Sequence, residues 1–248
     1  MPNVKHFTLL TKTNTMKTLR IVFTLIIALQ LMGCQETIEG NGNEVTENRI
    51  LNDFDKIKIS GMFEVVLEEG DPGIKIETDE NLIPYITTEV ENEVLRIATG
   101  DVTLSAEKLL LTIYYDNLNE LDFSGAVKLS TSNVLYGDKF KLGISGAGSG
   151  DLEVDLNQLT IEVSGGAELN LIGRANVSSY DISGAGEVNA FELFSKEVYI
   201  DLSGAGEVNV NVESELDVEV SGAAEVNYIG SPNIREDISG AGSLNKKN

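Results

Sequence analysis

The sequence predicts an all-β protein: a β-solenoid of the parallel β-helix type, built from SGAG repeats of 18–21 residues and preceded by a β-rich N-terminal section. Three observations support this prediction. A Ser-Gly pair recurs at a nearly constant interval, alternating apolar and polar residues flank it, and each unit is too short to bury its apolar face alone. Stacked copies of such a unit would share one continuous core.

The Ser-Gly pair marks the corner of each unit. Its serine recurs with gaps of 21, 19, 19, 20, 18 and 18 residues, at Ser124, Ser145, Ser164, Ser183, Ser203, Ser221 and Ser239. Glycine suits a tight bend because it lacks Cβ and accepts positive φ. We therefore expect tight corners, with positive φ available, at Gly146, Gly165, Gly184, Gly204, Gly222 and Gly240. The small Ala or Gly that follows each pair lets stacked corners lie close together.

Strands are predicted on both sides of each corner. Residues 216–220 read Leu-Asp-Val-Glu-Val before a corner, and residues 225–228 read Glu-Val-Asn-Tyr after it. This alternation is typical of a half-buried strand. The predicted core includes Ile161, Val163, Ile182, Ile200, Leu202, Val218 and Val220. A flat meander of hairpins is the alternative, but the rarity of Asn-Gly and Asp-Gly turns between the strands favours the solenoid.

The N-terminus reads as an export signal. Lys17 and Arg20 precede an apolar run, residues 21–32, that is too short to span a bilayer, and the sequence LMGC follows. This arrangement resembles a bacterial lipoprotein signal, which implies that Cys34 is lipidated and that the chain binds a membrane through this anchor. We expect residues 1–33 to be the signal sequence, with the true start at Met16.

The predicted organisation after the signal has three parts. Residues 34–49 are polar and form a lipidated tether, residues 50–120 form the β-rich N-terminal section, and residues 121–245 form the solenoid. The N-terminal section is expected to close one end of the solenoid, which protects strand edges from pairing with other chains. A short helix that opens at Asp79 or Asn81 is a further hypothesis, which Pro84 limits.

Charge excludes several classes of partner and of chemistry. Four of the 18 basic residues and none of the 40 acidic residues precede Cys34, so the remaining chain carries a formal charge of −26. Nucleic acid is therefore not an expected partner. The single histidine is His6, inside the signal. The mature chain therefore lacks the residues for a Ser-His-Asp triad, a Cys-His pair or a His-ligated metal site.

Two ladders of acidic residues are predicted on outward positions. The upstream ladder lies two residues before the corner serine and contains Asp122, Glu162, Asp181, Asp201, Glu219 and Asp237, with Gly143 as its one break. The downstream ladder lies four residues after the serine and contains Glu168, Glu187, Glu207 and Glu225. Carboxylates on neighbouring rungs repel by roughly 1 kcal/mol per pair in water. The ladders are therefore candidate sites for a cation or another ligand.

Calcium is the candidate ion for these ladders because it accepts several carboxylate oxygens. The stronger alternative is a solvated acidic face that keeps the repeats soluble. The calcium-binding repeat G-G-x-G-x-D does not apply, since Val188, Val208 and Val226 stand at its aspartate position. No cofactor is predicted.

A third ladder follows six residues after the serine, at Asn170, Asn189, Asn209, Asn227 and Asn245. Hydrogen bonds between stacked amides are favoured there over a sugar-binding strip. The corner serines are expected to bond to backbone groups, since no general base accompanies them. The aromatic residues are scattered along the sequence and do not predict a platform for sugar stacking.

Three segments together resemble a known family. The stretches FDKIKISGMFEVVLEEG and DENLIPYITTEVENEVLRI, followed by serial SGAGEVN units behind a lipoprotein-like signal, are similar to the family described as "putative auto-transporter adhesin, head GIN domain". The resemblance runs from about Phe54 to Asn245. It implies a β-helix-like fold in the envelope of Bacteroidetes-type bacteria, and it carries no catalytic residues.

These observations predict a non-enzymatic lipoprotein of the outer membrane, on either its periplasmic or its exposed side. Its solenoid would bind a glycan or a surface protein through an extended face. The alternative is a carbohydrate-active lyase or hydrolase, since glycoside chemistry can use two carboxylates alone. Two carboxylates in a concave cleft beside Arg174 or Arg235 would favour that alternative.

Overall fold

The computed structural model describes residues 36–248, of which Thr37–Asn248 form one compact unit. The predicted signal sequence and Cys34 lie outside the described residues. The strands are β1 (Glu36–Glu39), β2 (Glu44–Ile50), β3 (Lys56–Ser60), β4 (Met62–Glu69), β5 (Gly73–Asp79), β6 (Thr87–Glu91), β7 (Val94–Ala98), β8 (Val102–Ser105), β9 (Leu110–Tyr115), β10 (Glu120–Phe123), β11 (Ala126–Thr131), β12 (Leu135–Ile144), β13 (Ala147–Val163), β14 (Gly166–Ile182), β15 (Ala185–Leu202), β16 (Ala205–Val220), β17 (Ala223–Gly230), β18 (Asn233–Ile238) and β19 (Ser243–Lys246). One 3₁₀ turn, Ile83–Tyr85, lies between β5 and β6.

The predicted β-solenoid is confirmed. Strand segments that precede the Ser-Gly corners stack in parallel as one wall, here called the upstream wall, and segments that follow the corners stack as the downstream wall. The long strands β13 to β16 serve both walls, because each begins after one corner and ends before the next. Their inside-outside alternation changes phase on the way, for example at Asn157 and Gln158, which are both exposed.

Stacked corners are joined by backbone hydrogen bonds. The N–H of Ser183 donates to the carbonyl of Val163 at 2.9 Å, and the N–H of Ala185 donates to that of Gly165 at 2.9 Å. The same two bonds recur from corner to corner along the solenoid. The Ser-Gly pair is therefore repeated because each copy must dock on the backbone of the copy before it.

The positive φ expected at the corners is wrong for five of the six predicted glycines; of these six, only Gly240 has it, at 100°. The reason for glycine elsewhere is the close approach of stacked backbones. A Cβ on Gly184 would overlap the carbonyl oxygen of Gly165, and a Cβ on Gly204 would overlap that of Gly184. Any larger residue would therefore force neighbouring coils apart.

The core is a single apolar cluster between the two walls. All seven predicted core residues are buried, and Val218 and Val220 are completely inaccessible. The cluster continues into the N-terminal section through residues such as Ile57, Leu95 and Leu111. Repeats and N-terminal section therefore share one core.

The N-terminal section stacks in an order that differs from chain order. β3 and β4 meet at Ser60 and Gly61 and form a coil that pairs on one side with β10 and β11. On its other side it pairs with β7 and β9, which come later in the chain than β3 and β4. On the outer side, β6 pairs antiparallel with β7 and β5 pairs antiparallel with β9, and β2 pairs antiparallel with β5.

Two boundaries differ from those predicted. Residues 44–50 belong to strand β2 and pair antiparallel with β5, so the expected tether contains part of the fold. Solenoid coils begin at β3, before residue 121, because Ser60-Gly61 forms a corner like the later ones. The helix hypothesis at Asp79 or Asn81 is wrong: a single 3₁₀ turn begins after Leu82, with Pro84 in its first positions.

Candidate functional site

The structure stacks the upstream ladder on the outer face of the upstream wall. Glu162 lies beside Asp181, Asp181 beside Asp201, and Asp201 beside Glu219, with Asp237 on the last rung. Neighbouring rungs of a sheet lie about 4.8 Å apart. Each of these acids except Asp237 directly follows a buried residue on its strand, so the alternation of the strand directs its carboxylate outward.

The downstream ladder lies on the other side of the corners. Glu168, Glu187, Glu207 and Glu225 occupy consecutive rungs. Glu168 and Glu187 are exposed, whereas Glu207 and Glu225 are half-buried. The ten predicted ladder residues are thus divided between two walls and do not converge on one point.

Basic side chains neutralise only the N-terminal part of the upstream ladder. Lys58 Nζ lies 3.3 Å from Asp122, and Lys141 Nζ lies 2.7 Å from Glu162. The hydrogen bond to Glu162 raises the pKa of Lys141. Within the described chain, Asp181 and Asp201 form no ion pair, so both remain next to like charges.

The ladders do not have the geometry of a metal centre. Across residues 36–248, no group of three or more His, Cys, Asp or Glu side chains is placed to hold one ion. Stacking along a flat wall explains this, because such carboxylates point in parallel, whereas calcium needs oxygen atoms that converge. A cation-binding role for the ladders stays a prediction.

Stacked amides form part of the predicted asparagine ladder. Asn227 Nδ2 donates to Asn209 Oδ1 at 2.9 Å and to Glu207 at 3.0 Å, and Asn245 Nδ2 donates to Glu225 at 3.0 Å. Asn227 is only 2% exposed. These bonds favour the structural interpretation of the ladder over a sugar-binding strip.

Three of the corner serines, Ser124, Ser145 and Ser239, bond through their hydroxyl groups to the backbone of the neighbouring coil. Ser145 Oγ donates to the carbonyl of Phe123 at 3.0 Å, and Ser239 Oγ lies 3.4 Å from that of Val220. These hydroxyl groups therefore help to join neighbouring coils, in agreement with the predicted bonds to backbone groups.

The fold and the ladders can now be compared with known proteins. The family model described as "putative auto-transporter adhesin, head GIN domain" matches residues 53–232. The chain belongs to this family. Its members are adhesin-like proteins of the bacterial cell surface or envelope. A search of curated proteins finds no match.

Solved structures share the fold of this head GIN domain. A putative adhesin from Bacteroides fragilis is 21% identical, with a TM-score of 0.81 over 85% of this chain and 100% of that one. A protein from Parabacteroides distasonis described as a putative lipid binding protein is 26% identical, with a TM-score of 0.70 over 86% and 100%. A putative adhesin from Parabacteroides merdae is 22% identical, with a TM-score of 0.65 over 86% and 100%.

Recesses of the head GIN domain lie along its walls. A groove of about 620 Å³ crosses several rungs of the upstream wall, from Arg96 and Lys58 to Asp181. A second groove, of about 400 Å³, contains Arg235 together with Asp217 and the acids Asp201 and Glu219. Arg235 lies 3.4 Å from Asp217, and its side chain is 84% exposed.

Between residues 36 and 248, no helix is long and apolar enough to cross a bilayer.

Exposed aromatic residues are less scattered than the sequence suggests. Tyr136 and Phe194 are 62% and 44% exposed, and they lie in one outward column that also contains Asp155 and Arg174. The sequence analysis missed this column because its residues lie on the return segments, where repeat lengths vary. The unequal gaps of 20 and 18 residues around Ser203 are the signal that would have indicated an irregularity there.

Proposed function

We propose that this head GIN domain protein is a non-enzymatic lipoprotein of the bacterial outer membrane, anchored through Cys34, whose solenoid serves as an extended adhesive surface. One observation carries the proposal: outward side chains are held in register over consecutive rungs of a continuous sheet. Such a surface suits a long or repetitive ligand because equivalent contacts recur along it. The adhesin-like family and the LMGC sequence before the fold support the adhesive role and the anchor respectively.

The competing function is carbohydrate cleavage, and the groove around Arg235 is the observation in its favour. Several carboxylates lie there beside an arginine. Against it, the carboxylates of this groove other than Asp217 are rungs of the uniform upstream ladder. A catalytic pair needs one acid and one base in different environments. We therefore do not assign a catalytic role to this groove.

The test uses cells of a Bacteroidetes-type host that carry the full chain, its Cys34→Ala variant or no copy. We expect the full chain in the membrane fraction and increased attachment of its cells to glycan-coated and protein-coated surfaces. The Cys34→Ala variant should be released and attachment should fall to the level of cells without the chain, since stable anchoring depends on lipidation.

Each part of the proposal has its own contradictory outcome. Retention of the Cys34→Ala variant in the membrane fraction would contradict the anchor. Equal attachment by cells with and without the chain would contradict the adhesive surface. Shortening of soluble polysaccharides by the purified full chain would support the enzyme instead.

A further inference from the structure

The return segments of β12 to β15 form a second outward surface that the acidic ladders do not include. One column contains Tyr136, Asp155, Arg174 and Phe194, and the column beside it contains Asp138, Asn157, Asn176 and Lys196. We call these eight residues the return patch. All of them are exposed or half-buried, and a groove of about 330 Å³ lies over part of the patch.

The polar side chains of the return patch hold one another in place. Arg174 Nη2 lies 3.1 Å from Asp155 Oδ2, Asn157 Nδ2 donates to Asp138 at 3.2 Å, and Asn176 Nδ2 donates to Asn157 at 2.8 Å. A guanidinium group has five N–H donors and this ion pair uses few of them. The patch thus presents oriented donors and acceptors that are free for a ligand.

A bulge in β15 produces the aromatic end of the patch. Ala190 faces Val210 and Phe194 faces Asn211, so three residues of β15, 191–193, have no counterpart on β16. Asn211 Nδ2 donates to the otherwise unmatched carbonyl of Phe191 at 3.2 Å. Bulges redirect side chains and are frequent beside functional sites. Here the bulge breaks the repeat at the position where Phe194 is exposed.

The chemistry of the patch suits an uncharged glycan. Its two acids and two bases sum to zero formal charge, in contrast to the acidic ladders, and one further acid, Glu213, lines the groove over it. The aromatic faces of Tyr136 and Phe194 carry partial negative charge and can pack against the C–H groups of sugar rings. These rings are three rungs apart, or about 14 Å. Arg174 and Asp155 lie between them, where they can bond to hydroxyl groups.

We propose that the return patch binds a neutral oligosaccharide chain laid across the strands, with sugar rings on Tyr136 and Phe194 and hydroxyl groups bonded to Arg174 and Asp155. This inference rests on the proposed adhesive function and names its ligand class. An anionic polysaccharide is a poorer ligand because the rest of the chain repels it.

The test measures binding of the purified full chain, kept in a polyoxyethylene detergent, to cellohexaose, maltohexaose, chitohexaose and mannohexaose, with hexagalacturonate as the acidic comparator. We expect one of the neutral hexasaccharides to bind, and the corresponding monosaccharide to bind much more weakly because it reaches one aromatic ring. Phe194→Ala and Arg174→Ala should each weaken binding about tenfold or more. Their thermal midpoints should match that of the unchanged chain.

Matched controls lie outside the patch. Tyr199→Ala removes an aromatic ring that is 37% exposed, and Arg235→Ala removes an arginine that is paired with an aspartate as Arg174 is. Neither should change hexasaccharide binding. Binding that resists the patch variants but is lost in a control would overturn the inference.

Cell attachment separates failure of this inference from failure of the proposed function. If cells that carry the chain attach but no neutral hexasaccharide binds, the return patch is not a glycan site while the adhesive role stands. Preference for hexagalacturonate would also overturn the inference. If cells with and without the chain attach equally, the adhesive function itself fails.

Discussion

In the N-terminal section, carboxylates such as that of Glu77 lie against basic side chains, whereas in the repeats ladder carboxylates such as that of Glu187 lie against one another. Glu77 lies 2.7 Å from Lys108 and 2.9 Å from Lys75. Glu187, in contrast, has Glu168 and Glu207 on its two neighbouring rungs. Both regions use the same coil and share one core. The comparison shows that the solenoid depends on backbone stacking and apolar burial, and that surface charge can differ without changing it.

The two regions also differ in how their strands pair. The repeats stack in chain order with parallel registers, while the N-terminal section inserts the coil of β7 and β9 outside that of β3 and β4 and covers it with antiparallel strands. These antiparallel strands pair with the outermost parallel coil at that end of the described chain, so its strand edges are not exposed. The irregular section therefore ends the stack, and the regular repeats extend it.

The largest effect is expected from a substitution that disrupts the corner stacking that both regions share. Gly184→Ala should destabilise the protein by about 3 kcal/mol or more, because the new Cβ would overlap the carbonyl oxygen of Gly165. Urea unfolding of the purified chain measures this change. The matched control is Gly166→Ala, where the nearest atom to a new Cβ, the carbonyl oxygen of Ala185, is 3.8 Å away.

Alanine already stands at the position of Gly166 in other repeats, for example at Ala185 and Ala205. The control should therefore be neutral or stabilising by about 0.4–1 kcal/mol, since it reduces the freedom of the unfolded chain. Equal destabilisation by both substitutions would show that glycine is needed for backbone freedom and not for close approach.

How much of this was predictable from the sequence depends on the region. The register of the repeats was predictable, because the recurrence of Ser-Gly shows which residues share a rung. The burial of Ile161, Ile200 and Val218 was predictable from the alternation of apolar and polar residues. The stacking order of β3, β7 and β9 was not predictable, because Ala98-Thr99 stands where a corner would need Ser-Gly and the pairing is decided by tertiary contacts. The return patch was missed for the related reason that a bulge has no fixed register.

A smaller effect is expected for the amide ladder, which the N-terminal section lacks. Asn227→Ala should cost about 1–3 kcal/mol, because it removes the donors to Asn209 and Glu207 and leaves the buried Asn209 Oδ1 unsatisfied. Asn189→Ala is the control, since Asn189 is an exposed member of the same ladder. Equal costs for the two variants in urea unfolding would contradict a role for amide stacking.

The smallest effects are expected from replacing one glutamate by glutamine in each region. The two substitutions should change the free energy of unfolding in opposite directions. Glu187→Gln should stabilise the protein by about 0.5 kcal/mol at low salt, because it removes repulsion from two neighbouring carboxylates. The gain should fade at high salt as screening increases. Glu77→Gln should destabilise by about 0.5–1 kcal/mol, the range of exposed ion pairs.

The pH dependence of the Glu77→Gln variant follows from the pKa of Glu77. Hydrogen bonds from Lys108, and then from Lys75, lower this pKa below its usual value of 4.5. The ion pair therefore contributes its full stability above pH 4.5, and this contribution is lost as pH falls through the lowered pKa. The Glu77→Gln variant should lose its disadvantage over the same range in thermal unfolding. If Glu187→Gln destabilises the protein at pH 7 as Glu77→Gln does, the acidic faces of the repeats carry no measurable repulsion.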